Sequence, residues 1–162
     1  MIEQERPEVF GHTLVCDDVR QETTGKLIYI GVYHGIMYVQ GSFPITLPRL
    51  CFSIDLAQKL EAFSPKIKLQ IFVPGDSADN ASIQAEMGEK PGAEGAFQRA
   101  ADVEAAGIPD ADKKYLTIFS TLMFENFLLQ GEGIIKVRAD INGKRYDLGG
   151  LRVSKAPQQG AI

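Results

Sequence analysis

The run Leu50-Cys51-Phe52-Ser53-Ile54-Asp55-Leu56-Ala57 decides the fold class, because large apolar residues alternate along it with small or polar ones. Successive side chains of a β-strand point to opposite faces, so this run predicts a strand with one apolar face and one polar face. Two later runs repeat the pattern, with the apolar sets Ile67, Leu69, Ile71, Val73 and Ile135, Val137, Ala139, Ile141. Strands of this kind are typical of antiparallel sheets that cover one core.

Glycine-marked turns separate the strands at short intervals. Asn142-Gly143 lies between two strand-like runs, and Asn-Gly favours the positive φ angles of a two-residue type I′ hairpin. Thr24-Gly25, His34-Gly35 and Gly149-Gly150 mark further turns, and the run from Leu151 is expected to be the last strand. Together these patterns predict one mainly all-β domain over residues 1–162, an antiparallel β-sandwich of the immunoglobulin-like or jelly-roll-like kind.

Residues 26–33 and 116–129 carry apolar side chains on both faces of the predicted strands. A strand of this kind either lies centrally beneath a covering element or forms part of a subunit interface. The second run could also be helical, although its aromatic and β-branched content favours a strand. We therefore expect a protein partner or a second copy of the chain to bind here. The candidate interface residues are Tyr29, Tyr33, Phe119, Met123 and Phe127.

Residues 74–114 interrupt the strand pattern and are rich in Gly, Ala, Asp and Glu. The alternation of Ile83, Ala85 and Met87 predicts a short strand over 82–87, and residues 96–106 could form a short helix. Loops longer than ~12–15 residues are usually functional or mobile, so we expect a mobile insertion here. The tail over residues 155–162 is expected to be flexible.

Composition excludes several classes of protein. The chain has 162 residues, of which 44% are apolar and 23% are charged, and this balance is typical of one globular domain. A net charge of −4 argues against a nucleic-acid partner. The first residues are acidic and polar, and no stretch approaches the ~18 apolar residues of a membrane span. We expect a cytoplasmic protein with no membrane partner, in which Cys16 and Cys51 are reduced and have packing roles.

The stretch Cys16-Asp17-Asp18-Val19-Arg20-Gln21-Glu22, followed by Gly25-Lys26 and Ile30-Gly31-Val32-Tyr33, resembles the opening of an uncharacterised bacterial family. That family begins with a Cys-Asp-Asp-x-Arg-x-Glu strand, a Gly-Lys turn and an apolar-Gly-Val-Tyr strand. Leu47-Pro48 and the C-terminal hairpin also resemble it. The resemblance covers the first third of the chain and the last hairpin. It implies a small soluble β-sandwich-like protein of unknown function, with no catalytic residues to carry over.

The acidic strand provides the candidate metal ligands Asp17, Asp18 and Glu22. Hard divalent cations prefer several oxygen ligands, so these carboxylates could form an acidic rim around such an ion. The alternative is that Arg20 neutralises Asp18 and Glu22 within a network of ion pairs, and this alternative is favoured because an arginine competes with a metal.

Catalytic patterns are incomplete in this sequence. Gly75-Asp76-Ser77 superficially resembles the glycine-flanked serines of hydrolases, but only His12 and His34 could serve as a base, and both fit turn or strand-end positions. No cofactor motif occurs. The sequence therefore favours a non-enzymatic protein-binding or assembly module that could be homo-oligomeric. The alternative is a divalent-cation-dependent binding protein or hydrolase that uses the acidic strand.

Overall fold

The alternating runs form two stacked sheets in the computed structural model, which describes residues 7–87 and 115–157. The strands of this described part are β1 Val9–Gln21, β2 Leu27–Val32, β3 Ile36–Val39, β4 Ile45–Lys59, β5 Ile67–Phe72, β6 Ile83–Met87, β7 Tyr115–Leu129, β8 Gly133–Ile141 and β9 Lys144–Lys155. The first sheet has the strand order β2-β1-β4-β7, and the second sheet has the order β3-β9-β8-β5-β6. The predicted all-β sandwich is confirmed.

Antiparallel pairing, which the one-sided strands indicate, joins every pair of neighbours in the two sheets except one. The short strand β3 runs parallel to β9, with Ile36 opposite Arg152 and Val39 opposite Lys155. Its start is fixed by the Arg152 amide, which donates to the Gly35 carbonyl at 2.9 Å. The chain therefore crosses from the first sheet to the second immediately after β2.

The core lies between the two sheets and is filled by the residues that alternation assigns to one face. From the first sheet, Leu50, Phe52, Ile54 and Leu56 are at most 2% exposed. The second sheet contributes the predicted sets from β5 and β8, of which Val73 is only half-buried. Burying side chains of this size contributes about 1.5–3 kcal/mol each, so these faces hold the sheets together.

The Asn142-Gly143 turn joins β8 to β9 as predicted, with φ angles of 51° and 76°. The run from Leu151, expected as a separate last strand, instead belongs to the continuous strand β9. The pairing register shifts between Lys136 and Arg138, opposite the Gly149 region, which is a β-bulge. The extra residue in β9 lets Leu148 and Leu151 both face the core although they are three positions apart.

Part of the predicted insertion belongs to the sandwich. Residues Ile83–Met87 form β6, the outer strand of the second sheet, where Leu69 pairs with Ala85. The loop before β6 is held by Asp76, whose carboxylate accepts hydrogen bonds from the Val73 amide at 2.9 Å and the Ser82 amide at 2.8 Å. Residues 88–114, including the helix expected over 96–106, and residues 158–162 of the tail lie outside the described residues.

One buried polar side chain fixes the end of β4. Gln58 is fully buried, and its amide donates to the Ser64 carbonyl and accepts from the Ser64 amide, both at 3.1 Å. The short 3-10 turn Leu60–Ala62 lies between these two residues. Gln58 therefore satisfies backbone groups that no strand neighbour reaches, and it closes the loop that leads to the second sheet.

Candidate functional site

Strands β4 and β7 of the first sheet change, at one level here called the bend, which of their side chains face the core. Core-facing residues of a regular strand are two positions apart, but Leu47 and Leu50 of β4 both pack against the core, as do Phe124 and Phe127 of β7. In β7 the extra residue coincides with Asn126, which has a left-handed φ of 54°. Because β4 and β7 change phase at the same level, their pairing continues through the bend.

Charged side chains cross the outside of this bend. The Asp18 carboxylate accepts hydrogen bonds from Arg49 at 2.8 Å and from Arg20 at 3.2 Å, and Arg49 also contacts Glu125 at 3.2 Å. The hydrogen bond from Arg49, followed by that from Arg20, lowers the pKa of Asp18 below its usual value of 3.8. This network connects β1, β4 and β7, and both arginines in it contact Asp18, one of the three candidate metal ligands.

The other two candidate ligands have separate partners. Asp17 accepts a hydrogen bond from the Tyr33 hydroxyl, and burial together with this bond raises the pKa of Tyr33. Glu22 accepts from the Thr24 hydroxyl at 3.1 Å. Among the residues that the structure describes, no three histidine, cysteine, aspartate or glutamate side chains are grouped as a metal site would require. Arg20 therefore contacts Asp18, one of the two carboxylates that the ion-pair alternative assigned to it, whereas Glu22 contacts Thr24.

The two cysteines lie directly opposite each other on β1 and β4 and are fully buried. The Cys16 thiol contacts the Asp18 carbonyl at 3.5 Å, and the Cys51 thiol contacts the Asp17 carbonyl at 3.6 Å. Burial, followed by the neighbouring Cys51, raises the pKa of Cys16 to about 11, and burial also raises the pKa of Cys51. Both thiols therefore stay protonated at neutral pH, where a protonated thiol is a poor nucleophile.

The face of the first sheet that points away from the core, here called the outer face, is built from rows of paired residues. These rows are His12–Asp55–Phe119, Leu14–Ser53–Thr121 and Cys16–Cys51–Met123. Ser53 in the middle is only 2% exposed, and the Tyr29 hydroxyl lies 3.0 Å from its hydroxyl oxygen. Toward β7 the outer face is apolar and open, since Phe119 is 44% exposed and Met123 is 57% exposed.

Strand β7 is also the edge of the first sheet. In the part of the chain that the structure describes, it pairs only with β4. It has fifteen residues, whereas the other outer strands β2, β3 and β6 have six, four and five. Only Glu125 is charged among its residues. Near its middle, the buried Thr121 hydroxyl has no hydrogen-bond partner within the described ranges.

The structure separates the five residues expected at an interface. Phe119 and Met123 are exposed on the outer face at the β7 edge. Phe127 is 5% exposed and packs in the core, because the bend at Asn126 turns it inward. Tyr29 and Tyr33 are half-buried, and their hydroxyl groups contact Ser53 and Asp17.

The serine and histidines considered for catalysis lie on different elements. Ser77 is in the loop between β5 and β6, where it forms an isolated bridge with Asn80. His12 is on the outer face of the first sheet, with its Nε2 atom 3.5 Å from the Asp55 carboxylate. His34 is in the connection from β2 to β3.

Sequence reasoning missed Arg49, Glu125 and Thr121. The residues that break alternation indicate the first two: Pro48-Arg49 interrupts the β4 pattern, and Glu125-Asn126 is a polar pair inside an apolar run. Both interruptions coincide with the bend. The position of Thr121 at a sheet edge depends on strand order, which no local pattern contains.

Fold and site together define a two-sheet β-sandwich that presents one long apolar edge. The chain belongs to a family of unknown function (DUF6941), whose model matches residues 12–154, and this confirms the resemblance to an uncharacterised family. Neither the curated proteins nor the solved structures contain a match to the chain. Within residues 7–87 and 115–157, no helix has the length and apolar character needed to cross a membrane.

Proposed function

We propose that this protein is a non-enzymatic binding and assembly module that adds an extended strand of a partner protein to the edge of its first sheet. The single observation that carries the proposal is β7, a fifteen-residue edge strand with one charged residue and three large exposed apolar side chains, Phe119, Met123 and Leu128. Its action would be to hold a polypeptide rather than to transform a substrate.

An edge strand has a row of backbone N–H and C=O groups directed away from the sheet, and these groups form hydrogen bonds with any strand that lies alongside. Proteins usually protect such edges with short strands, prolines or lysines. The edge strands β2, β3 and β6 follow the first of these rules, with at most six residues each. The sequence of β7 contains no proline and no lysine.

The side chains of β7 define the chemistry of the partner. Phe119 and Met123 lie on the outer face, and Ile118 and Leu122 are half-buried on the side that faces the core. A strand added here gains main-chain hydrogen bonds along its length, and alternate side chains contact the two apolar rows. The partner is therefore an extended protein segment that carries apolar residues on both of its faces.

The acidic strand gives less support to the alternative function, a cation-dependent binding protein or hydrolase, than the β7 edge gives to strand addition. Asp18, its central carboxylate, is engaged by two arginines, and Asp17 and Glu22 contact hydroxyl groups elsewhere. A divalent cation would have to displace Arg49 and Arg20 before it could bind Asp18. The cytoplasmic location stays a prediction from the sequence.

A labelled strand peptide tests the proposal. We expect a fluorescent peptide with the sequence of residues 116–126 to bind the protein, with a rise in fluorescence anisotropy that saturates. Met123→Lys should weaken binding about tenfold, since a charge then lies opposite an apolar side chain. Ile134→Lys is the matched control, because Ile134 is 52% exposed on the second sheet and should leave binding unchanged.

Two results would contradict the proposal. One is an anisotropy that stays flat up to ~100 µM, a concentration at which even weak specific association is visible. The other is equal loss of binding in Met123→Lys and Ile134→Lys, since the peptide would then recognise apolar surface in general.

A further inference from the structure

We propose that the strand added to β7 is β7 of a second copy of this chain, antiparallel to the first and related to it by a two-fold axis through Thr121. The inference rests on the proposed function and specifies its partner. The two first sheets would then form one continuous eight-stranded sheet, and the two outer faces would lie side by side.

Symmetry restricts where the axis can pass. Directly opposed residues in an antiparallel pair have side chains on the same face of the sheet. A two-fold axis perpendicular to the sheet preserves faces, so it pairs only residues that lie on the same face of β7. Residues on the same face of a strand are an even number of positions apart. One residue of β7 must therefore lie at the axis, directly opposite the same residue of the second copy.

The outer row of β7 is self-complementary about Thr121. An axis at this residue places Phe119 opposite the partner's Met123, and Met123 opposite the partner's Phe119. Of the three large apolar side chains that β7 exposes, these two flank Thr121, at 44% and 57% exposure, and the third, Leu128, lies beyond Asn126. Contacts between a methionine sulfur and an aromatic ring are favourable, and the symmetric pair would contain two of them. Both side chains would be covered at once.

The row on the other face is also apolar about the same axis. Ile118 would lie opposite the partner's Phe124, and Ser120 opposite the partner's Leu122. The three apolar residues are half-buried at the rim of the core, so a second copy would extend the core across the edge. At the axis the two Thr121 side chains lie opposite each other.

Neighbouring registers cover these side chains less well. An axis at Leu122 would place Glu125 opposite the partner's Phe119, and an axis at Ser120 would place Met123 opposite the partner's Thr117. With the axis at Thr121, the two Glu125 carboxylates lie roughly 27 Å apart along the strands, at eight positions of about 3.4 Å each. Salt screens charges at that distance, so the only charge on β7 does not oppose the pairing.

Single cysteine variants test both the partner and the register. In the proposed pair, Thr121→Cys places two thiols directly opposite each other, and oxidised glutathione should convert them to a disulfide between chains while it is reduced to two glutathione thiols. Phe119→Cys is the matched control, since its two thiols would lie roughly 14 Å apart, too far for a disulfide. Combining Phe119→Cys with Met123→Cys should restore the crosslink, in a chain that also carries Cys51→Ser because Cys51 lies directly opposite Met123 on β4. Light scattering of the native chain should show a dimer mass.

The expected result is a crosslinked dimer with Thr121→Cys and with the double variant, and little with Phe119→Cys. Equal crosslinking of Thr121→Cys and Phe119→Cys would overturn the register. A monomer mass up to ~100 µM would overturn self-association, and peptide binding would then separate this failure from failure of the proposed function. Protection of the β7 amides that point away from β4 would also overturn it if that protection does not depend on protein concentration, since the edge would then be covered within one chain.

Discussion

Gln58 allows the sharpest test of how the sandwich is held together. Its amide forms two hydrogen bonds with the Ser64 backbone at 3.1 Å, and both residues are buried, at 0% and 6% exposure. Replacement by leucine keeps a side chain of similar size and removes both bonds. The Ser64 N–H and C=O groups then lose these partners in a buried place.

The magnitude follows from those two groups. Each buried polar group that loses its partner costs about 1–3 kcal/mol, and the apolar surface that leucine buries offsets part of the total. We expect Gln58→Leu to lower the free energy of unfolding by about 3 kcal/mol. For a domain of this size each kcal/mol shifts the melting temperature by about 2–4 °C, so the midpoint should fall by roughly 6–12 °C.

Urea denaturation of the intact protein, followed by circular dichroism, measures this change. Gln84→Leu is the matched control, because Gln84 is exposed and its side-chain amide donates to the Ala81 carbonyl at 3.3 Å; it should shift stability by less than about 0.5 kcal/mol. If Gln58→Leu also changes stability by less than about 0.5 kcal/mol, the Ser64 backbone finds other partners and the reasoning is refuted.

A charged replacement adds a pH dependence with a defined sign. In Gln58→Glu, the ionised carboxylate accepts from the Ser64 amide but repels the Ser64 carbonyl, and burial further raises the folded-state pKa above the ordinary value near 4.3. The protonated form can donate, so the variant should approach the native stability below the unfolded-state pKa and lose stability as the pH rises through the folded-state pKa. A stability difference from the native chain that does not vary with pH would contradict this.

Three further predictions concern the bend of the first sheet. The buried Cys16 thiol, with a pKa of about 11, should resist a disulfide reagent in the folded protein and react only in urea, and rapid reaction in native buffer would contradict its burial. Gly31→Ala should lower the melting temperature more than Gly25→Ala, since both have positive φ but only at Gly31 does a new Cβ overlap Asp17. The Asp18 carboxylate should titrate below pH 3.8 when it is followed by NMR, and a midpoint at or above 3.8 would contradict the network. Because its pKa is lowered in the folded state, the stability that Asp18 contributes should be present above its unfolded-state pKa. That stability should be lost as the pH falls through the folded-state pKa.

The fold class could be predicted because burial follows alternation on most strands. Leu50 to Leu56 on β4 and Ile135 to Ile141 on β8 keep a two-residue period, and the core takes the face that the period assigns. The Asn142-Gly143 hairpin follows from local chemistry alone, since both residue types favour the positive φ angles that the turn requires.

The candidate site could be predicted only in part, because it depends on strand order and on breaks in the period. The apolar content of β7 indicated an interface strand, and Phe119 and Met123 are exposed at its edge. Phe127 differs because the extra residue at Asn126 reverses which side chains face inward. The contact of Arg49 with Asp18 joins residues 31 positions apart, and no local pattern contains it.

The bend divides the first sheet into two blocks whose inside and outside are assigned independently. A one-residue deletion in β4 before Pro48 would disturb only the short block that contains Ile45 and Leu47. A deletion after Arg49 would exchange the core-facing and solvent-facing positions of β4 from Leu50 onward. A change in the length of β4 should therefore have a local effect before Pro48 and should disrupt the core after Arg49.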